Sequence, residues 1–346
     1  MKRIDHQDAR RLCRGAALRR GMSYEHAQWF AEALVETSLM GIDTHGLRLL
    51  PLYLRELDEG RSRARPNFQI TRREGATAVL DANDAQGIVA GCHAVEITAE
   101  LARQQGVGAL AVIHSNHFGA AGVYGARLAA RGLIGLVVTS AAARMAAFNG
   151  STPLFGTNPL CFSAPTPDGE HFVFDMATSQ VSYSQIKHLS RQALPLESGW
   201  ALDRHGESTT DPLAVACLAP LGGYKGQGLA MMVQILGALL AGMPNDAAIT
   251  HLDVPPFNQG RQIGHFLVAI DPARFGDPEA FSTRVRSLME TVRSSAARSG
   301  QTVQVAGDPQ ARARKERLRL GIPLGDDEAR ALELESTHLE RKELFE

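Results

Sequence analysis

Three short segments hold residue types that can move a proton or hold an anion. In Asp43-Thr-His45-Gly-Leu-Arg48 an imidazole stands three residues before a guanidinium, and if a helix has begun there the two share a face. A guanidinium grips a carboxylate through two parallel hydrogen bonds, and an imidazole beside it exchanges a proton near neutral pH. That pairing suits a small carboxylate-bearing substrate; the plainer alternative is a helix start capped by Asp43 or Thr44, with Arg48 in solvent. In His114-Ser-Asn-His117-Phe-Gly119 two imidazoles lie three residues apart. No acidic or cysteine ligand stands close by, which argues against a zinc set. A general acid or base at a strand end is the better reading of His117, with a structural hydrogen bond as its alternative. Gly222-Gly-Tyr-Lys225-Gly-Gln-Gly228 puts one lysine at a helix start, where free amides and the helix dipole favour an anion. The glycines there can equally serve close helix packing.

Other chemistries lack their residues. No Gly-x-Gly-x-x-Gly turn and no phosphate loop ending in Gly-Lys-Ser/Thr occurs, and no Gly-x-Ser-x-Gly nucleophile elbow. Cys13, Cys92, Cys161 and Cys217 are scattered without a Cys-x-x-Cys pair, so they read as reduced, mostly buried thiols and no metal site is expected.

The elements that must position these segments follow from periodicity. Residues 5–20 and 23–40 carry apolar positions at three and four spacing, and a third helix is predicted from about Leu49 to Leu57 with Pro51 in its first turn. After Gln69 the pattern becomes strand, helix, strand: Ala76–Leu80, a helix over 87–105, a strand over 108–114, a helix near 121–131 and a strand over 133–139. This alternation predicts an α/β sheet whose reactive groups gather at strand ends. Residues 148–211 read as loops with short strands, an apolar helix runs to about Leu240, a strand covers 264–270, and a charged helical tail from Asp308 is expected to pack on the exterior or on a partner. We expect residues 1–65 to form a helical region, 66–270 the α/β core and 271–346 helices packed on that core.

Composition narrows the class. Among 346 residues, 36 Lys+Arg face 37 Asp+Glu, a net charge of −1, which gives no counterion-release drive toward nucleic acid. The start MKRIDHQDARRLC lacks an apolar signal run, and the oily stretch Leu229–Met243 is too short to span a bilayer. A cytoplasmic protein without membrane attachment is expected.

Seven segments in order are Gly41-Ile-Asp-Thr-His-Gly-Leu-Arg48 with Tyr53, Asn116-His-Phe-Gly119, Gly156-Thr-Asn-Pro159, Phe174-Asp-Met-Ala-Thr-Ser179, Thr209-Thr-Asp-Pro212, Pro220-Leu-Gly-Gly-Tyr-Lys-Gly226 and Gly264-His-Phe266. Together they resemble the NAD(P)-dependent malate/L-lactate dehydrogenases of the second type, a family that also takes in ureidoglycolate, sulfolactate and diketogulonate dehydrogenases and piperideine-2-carboxylate reductase. The resemblance implies a mixed α/β, non-Rossmann NAD(P)-binding fold like that of sulfolactate dehydrogenase. It also implies a homodimer with its active site at the subunit interface, residues 1–65 contributing to dimer and substrate site, 66–270 holding the NAD(P)-binding domain and 271–346 packing on the core and dimer.

It further implies hydride transfer between NAD(P)H and C2 of a 2-oxo acid, or of a cyclic imino acid. His117 is the first candidate for acid/base and His45 the second, Arg48 grips the carboxylate, and Thr44, Tyr53 and Asn116 lie on the substrate side. The cofactor, NAD or NADP, runs along Thr139, Ser140, Asp175, Met176, Ala177, Gly222 and Lys225. Departures from the family pattern fall at Ala147-Phe-Asn-Gly150, at Gln180-Val-Ser-Tyr-Ser-Gln185 and in the short stretch between Pro212 and Pro220. A catalytically silent dimeric binding protein is the non-enzyme alternative, and the presence of His45, Arg48, His117 and Lys225 together argues against it.

Overall fold

The structure is a computed structural model and describes residues 2–343; Met1 and residues 344–346, at the outer edges of the first and last expected regions, lie outside the described residues. Helix His6–Arg19 begins at Asp5, whose carboxylate accepts from the Gln7 amide, and buries Ala9, Cys13, Ala16 and Ala17. These small side chains let it lie close against helix Tyr24–Leu39. Burial pushes the Cys13 thiol up to about 12, and all four cysteines are free and buried. Helix Leu50–Asp58 has Pro51 in its first turn and turns Tyr53 and Leu54 inward.

The main sheet has seven strands, in the order Gln69–Glu74, Thr77–Asp81, Val107–Ser115, Ile263–Ile270, Ile134–Thr139, Leu160–Ala164 and Phe172–Met176. The strand, helix, strand alternation predicts an α/β sheet, and the structure has one, yet Val107–Ser115 and Ile134–Thr139 do not pair. Ile263–Ile270 lies between them, antiparallel to both. Along Ile134–Thr139, Val137 joins the core shared with the amino-terminal helices, whereas Leu136 and Val138 pack with Val233. That alternation means that both faces of the sheet are covered.

Two further differences have local causes. Helix Tyr183–Arg191 falls where loops are expected; it is short, and its Tyr183, Ile186, Leu189 spacing is masked by the Gly-, Pro-, Asn- and Thr-rich segments around it. The charged tail does not merely coat the exterior. Strand Lys2–Ile4 pairs with Ile322–Leu324, and Ala329 and Leu332 join the same core as Ala9 and Cys13. A smaller sheet of five short strands spans Met145 to Leu218. Among the described residues, no helix is long and apolar enough to cross a membrane, and no three His, Cys, Asp or Glu side chains converge as a metal set.

Candidate active site

The first active-site segment is not a helix start. Asp43–His45 and Leu47–Leu49 are separate 3-10 turns, broken at Gly46, so His45 and Arg48 do not share a helix face. Gly46 is needed there, because a Cβ would come within 2.1 Å of the Ser38 hydroxyl, which instead accepts from the Leu47 amide at 2.8 Å. Neither capping alternative is used. Asp43 pairs with Arg317 through both carboxylate oxygens, and Thr44 Oγ1 lies 2.8 Å from His45 Nδ1. Arg48 is half-buried, and among the described residues its guanidinium has no hydrogen-bond or ion-pair partner.

His117 follows strand Val107–Ser115, as a strand-end group should. Its ring stacks on that of His45, with centroids 5.7 Å apart and planes 27° from parallel. Its Nδ1 is 2.6 Å from the Tyr53 hydroxyl, on a tyrosine fully buried against Phe30. Nε2 is thereby left for a reacting group. Removal from water pushes His45 down to about 4. The same effect, together with the neighbouring His45 and Arg261 charges, holds His117 well below the ordinary imidazole value. Two stacked imidazoles cannot both be charged cheaply, so the pair carries at most one positive charge near neutral pH.

Asn116 faces away from this pair. Its amide nitrogen donates to the carbonyls of Arg61, Asp84 and Ala85, and its oxygen accepts from the Arg261 amide. The expectation that it lies on the substrate side does not match this geometry: every polar atom of the side chain is spent on backbone, and it clamps the loop that carries His117. His114 also points elsewhere, with Nδ1 3.0 Å from Asp81.

A histidine quoted in the sequence only as part of a motif joins the two halves of the site. His265 is fully buried and touches Thr139 Oγ1 at 2.7 Å and Ser115 Oγ at 2.8 Å. Its ring lies parallel on Phe118, 4.4 Å away. Burial pushes it down to about 3, so it is a neutral crosslink between the ends of two strands. Ser140 is held by the Gly264 backbone.

Asp175 sits at the start of helix Ala121–Ala129, accepting from the Gly122 amide at 2.7 Å. A Cβ at Gly122 would meet that carboxylate at 2.9 Å. Burial raises Asp175 to about 6, opposed by this hydrogen bond. Asp175 and Gly122 open onto a cleft of about 1150 Å³, whose opposite wall is the segment Gln304–Gly307 and the helix after it. A volume above the usual range for drug-sized ligands (roughly 300–1,000 Å³) has room for a dinucleotide. Sequence reading missed that wall, whose signal is a glycine before Asp308-Pro309 at a helix start. Lys225 is exposed at the first turn of helix Tyr224–Gly237, without an ion-pair partner among the described residues. Gly222 and Gly223 precede it with φ of 59° and 68°. Met176 and Ala177 follow Asp175 out of its strand.

Paired imidazoles, a guanidinium without a partner among the described residues and a cleft of dinucleotide size fit a dehydrogenase, in a chain that carries no Rossmann fingerprint. The chain belongs to the malate/L-lactate dehydrogenase family, whose model matches residues 4–333. It is 29% identical over 326 residues to the ureidoglycolate dehydrogenase (NAD(+)) of Escherichia coli O157:H7, covering 94% of this chain and 93% of that one. It superposes on the sulfolactate dehydrogenase of Methanocaldococcus jannaschii with a TM-score of 0.91 at 27% identity, covering 98% and 97% of the two chains. The delta1-piperideine-2-carboxylate reductase of Pseudomonas syringae pvar. tomato superposes with a TM-score of 0.86 at 28% identity, covering 97% and 100%.

Proposed function

We propose that this protein reversibly reduces the C2 carbonyl of a small 2-oxo acid to the 2-hydroxy acid, with NAD or NADP as the second substrate. The observation that carries the reading is the stacked His45–His117 pair, with Arg48, three residues on from His45, lacking a partner among the described residues. Arg48 takes the substrate carboxylate by a two-pronged hydrogen bond, which fixes the face presented by C2. A bound nicotinamide cofactor supplies or accepts the hydride; Asp175, Met176, Ala177, Thr139, Ser140, Gly222 and Lys225 are the residues assigned to hold it. His117 exchanges the proton at the substrate oxygen through Nε2. Tyr53 accepts from Nδ1–H in both charge states, so Nε2 is the atom that loses and regains the proton and the ring keeps its orientation through the cycle. His45, steadied by Thr44, is the second candidate for the same step. The same arrangement serves a C=N bond next to a carboxylate, and the likeness to a cyclic-imine reductase supports that second reading.

Initial rates of NADH and NADPH oxidation test the assignment against pyruvate, oxaloacetate, ureido- and sulfo-substituted 2-oxo acids and five- and six-membered cyclic imines. Turnover of a 2-oxo acid is expected. Turnover of imines alone would replace it with the second reading, and no turnover of any would sink both.

The working unit is a homodimer with the site at its interface. Tyr224, Met231, Ile235 and Leu239 recur along one side of helix Tyr224–Gly237 and its extension, and all are exposed. Apolar stripes of this kind on soluble proteins mark interaction surfaces. Sedimentation equilibrium is expected to give twice the chain mass of 37.3 kDa; a monomer at assay concentration would refute the dimer.

A further inference from the structure

Helix Asp308–Leu320 touches two places at once. Its outer flank, with Pro309, Gln310, Arg314 and Lys315, continues the wall of the large cleft begun by Gln304–Gly307. Its inner side carries Arg317, which grips the Asp43 carboxylate through both terminal nitrogens. One of these nitrogens also donates to the Ser38 carbonyl at 2.6 Å. Asp43 is the residue before Thr44-His45, and Ser38 holds the Leu47 amide through its hydroxyl. Arg317 therefore pins the start of the loop that carries His45 and Arg48, and Ser38, whose carbonyl it holds, fastens the Leu47 amide. One turn earlier, Arg314 reaches Glu36 at 3.1 Å.

The helix is anchored at its start. Asp308 accepts from Arg293 through both oxygens and from the Val305 amide at 2.9 Å. From there to Arg317 is about 13.5 Å of regular helix at about 1.5 Å per residue. A helix of this length moves as a stiff body, so a ligand pressing on the cleft wall shifts or steadies Arg317 with it. The Arg317–Asp43 pair is bidentate and charge-assisted, which makes it directional as well as attractive. The Arg317 side chain is 16% exposed while that of Asp43 is 48% exposed. The arginine is thus the more buried partner, and a more open loop is tied to it.

We infer that Arg317 is a positioning residue for the His45–Arg48 loop, and that helix Asp308–Leu320 makes carboxylate binding depend on occupancy of the dinucleotide cleft. This rests on the function proposed above. Its consequence is reciprocal: a filled cleft tightens the carboxylate site, and a bound carboxylate tightens the dinucleotide by the same factor.

Oxamate, an unreactive 2-oxo-acid analogue, reads the coupling by calorimetry with and without saturating NADH, and NADH binding is followed by fluorescence. In the unaltered protein oxamate is expected to bind at least about tenfold more tightly with NADH present, a coupling of about 1.4 kcal/mol. In Arg317→Met that factor falls to about one. The NADH dissociation constant without oxamate stays within about twofold, and KM for the 2-oxo acid rises about tenfold with kcat less affected. Arg317→Lys restores part of the coupling, which a general packing defect would not allow. Asp43→Asn, nearly isosteric, gives the same loss if Arg317→Met fails to fold. Retention of the full coupling in folded Arg317→Met or Asp43→Asn overturns the inference, as does its absence in the unaltered protein. Turnover is scored separately: an inactive but coupled protein would refute the proposed reaction and leave the positioning role standing.

Discussion

Replacing His117 by asparagine is expected to lower kcat about 10²–10⁴-fold, the usual contribution of a positioned acid or base. Asparagine can still meet the Tyr53 hydroxyl, which lies 2.6 Å from Nδ1 in the native site, and it adds no cavity of consequence. The loss therefore reports the missing titratable nitrogen rather than a disturbed fold, and NADH binding should be unchanged. The pH profile gives the sign. Burial and the adjacent charges lower the His117 pKa, so the ring is neutral, and competent as a base, down through the ordinary imidazole range near 6.5. Oxidation of the 2-hydroxy acid should then hold its kcat/KM from pH 8 to below 6.5 and decline only at lower pH. Reduction, which needs the charged ring, should speed up as pH falls. A loss of less than about tenfold in His117→Asn, beside a larger one in His45→Asn, would transfer the proton step to His45. An oxidation limb centred at 6.5 or above would contradict the desolvated environment.

The second large effect is expected at Arg48. The residue is half-buried and its guanidinium has no partner among the described residues, which leaves its donors available to a carboxylate. Arg48→Met keeps the length and apolar stem of the side chain but removes the charge. Losing one partner of a desolvated, hydrogen-bonded charge pair costs about 2–5 kcal/mol. That predicts a fall in kcat/KM of about 30-fold to several thousand-fold, carried mainly by KM. Arg48→Lys should recover only part of it, since an ammonium cannot reproduce the two-pronged geometry. Added guanidinium ion should partly rescue Arg48→Met. A kcat/KM within about threefold of the native value in Arg48→Met would remove Arg48 from substrate binding.

Some of this site is legible in one dimension. Strand-end placement of His117 follows from the apolar run before it, and the segments 41–48, 174–179 and 220–226 identify the family on which the chain now sits. Helix Gly87–Gln105 and strand Leu160–Ala164 lie where periodicity puts them. Other readings failed for definite reasons. A helix carrying His45 and Arg48 on one face required an unbroken turn, and close approach to Ser38 imposes a break at Gly46. Asn116 stands beside His117 in the chain, yet its amide turns to the carbonyls of Arg61, Asp84 and Ala85.

The sequence by itself determined the kinds of element, the presence of proton-moving and anion-holding groups, and the absence of a Rossmann fingerprint, because periodicity and motif spacing are local properties. Tertiary structure alone decided which groups meet. It set strand Ile263–Ile270 between two strands that a sequence reader would pair, and so brought His265 onto Ser115 and Thr139. It also put Tyr53 under His117 and Arg317 behind Asp43. Those contacts join residues far apart along the chain, and their energy comes from burial and desolvation that no window of the sequence contains.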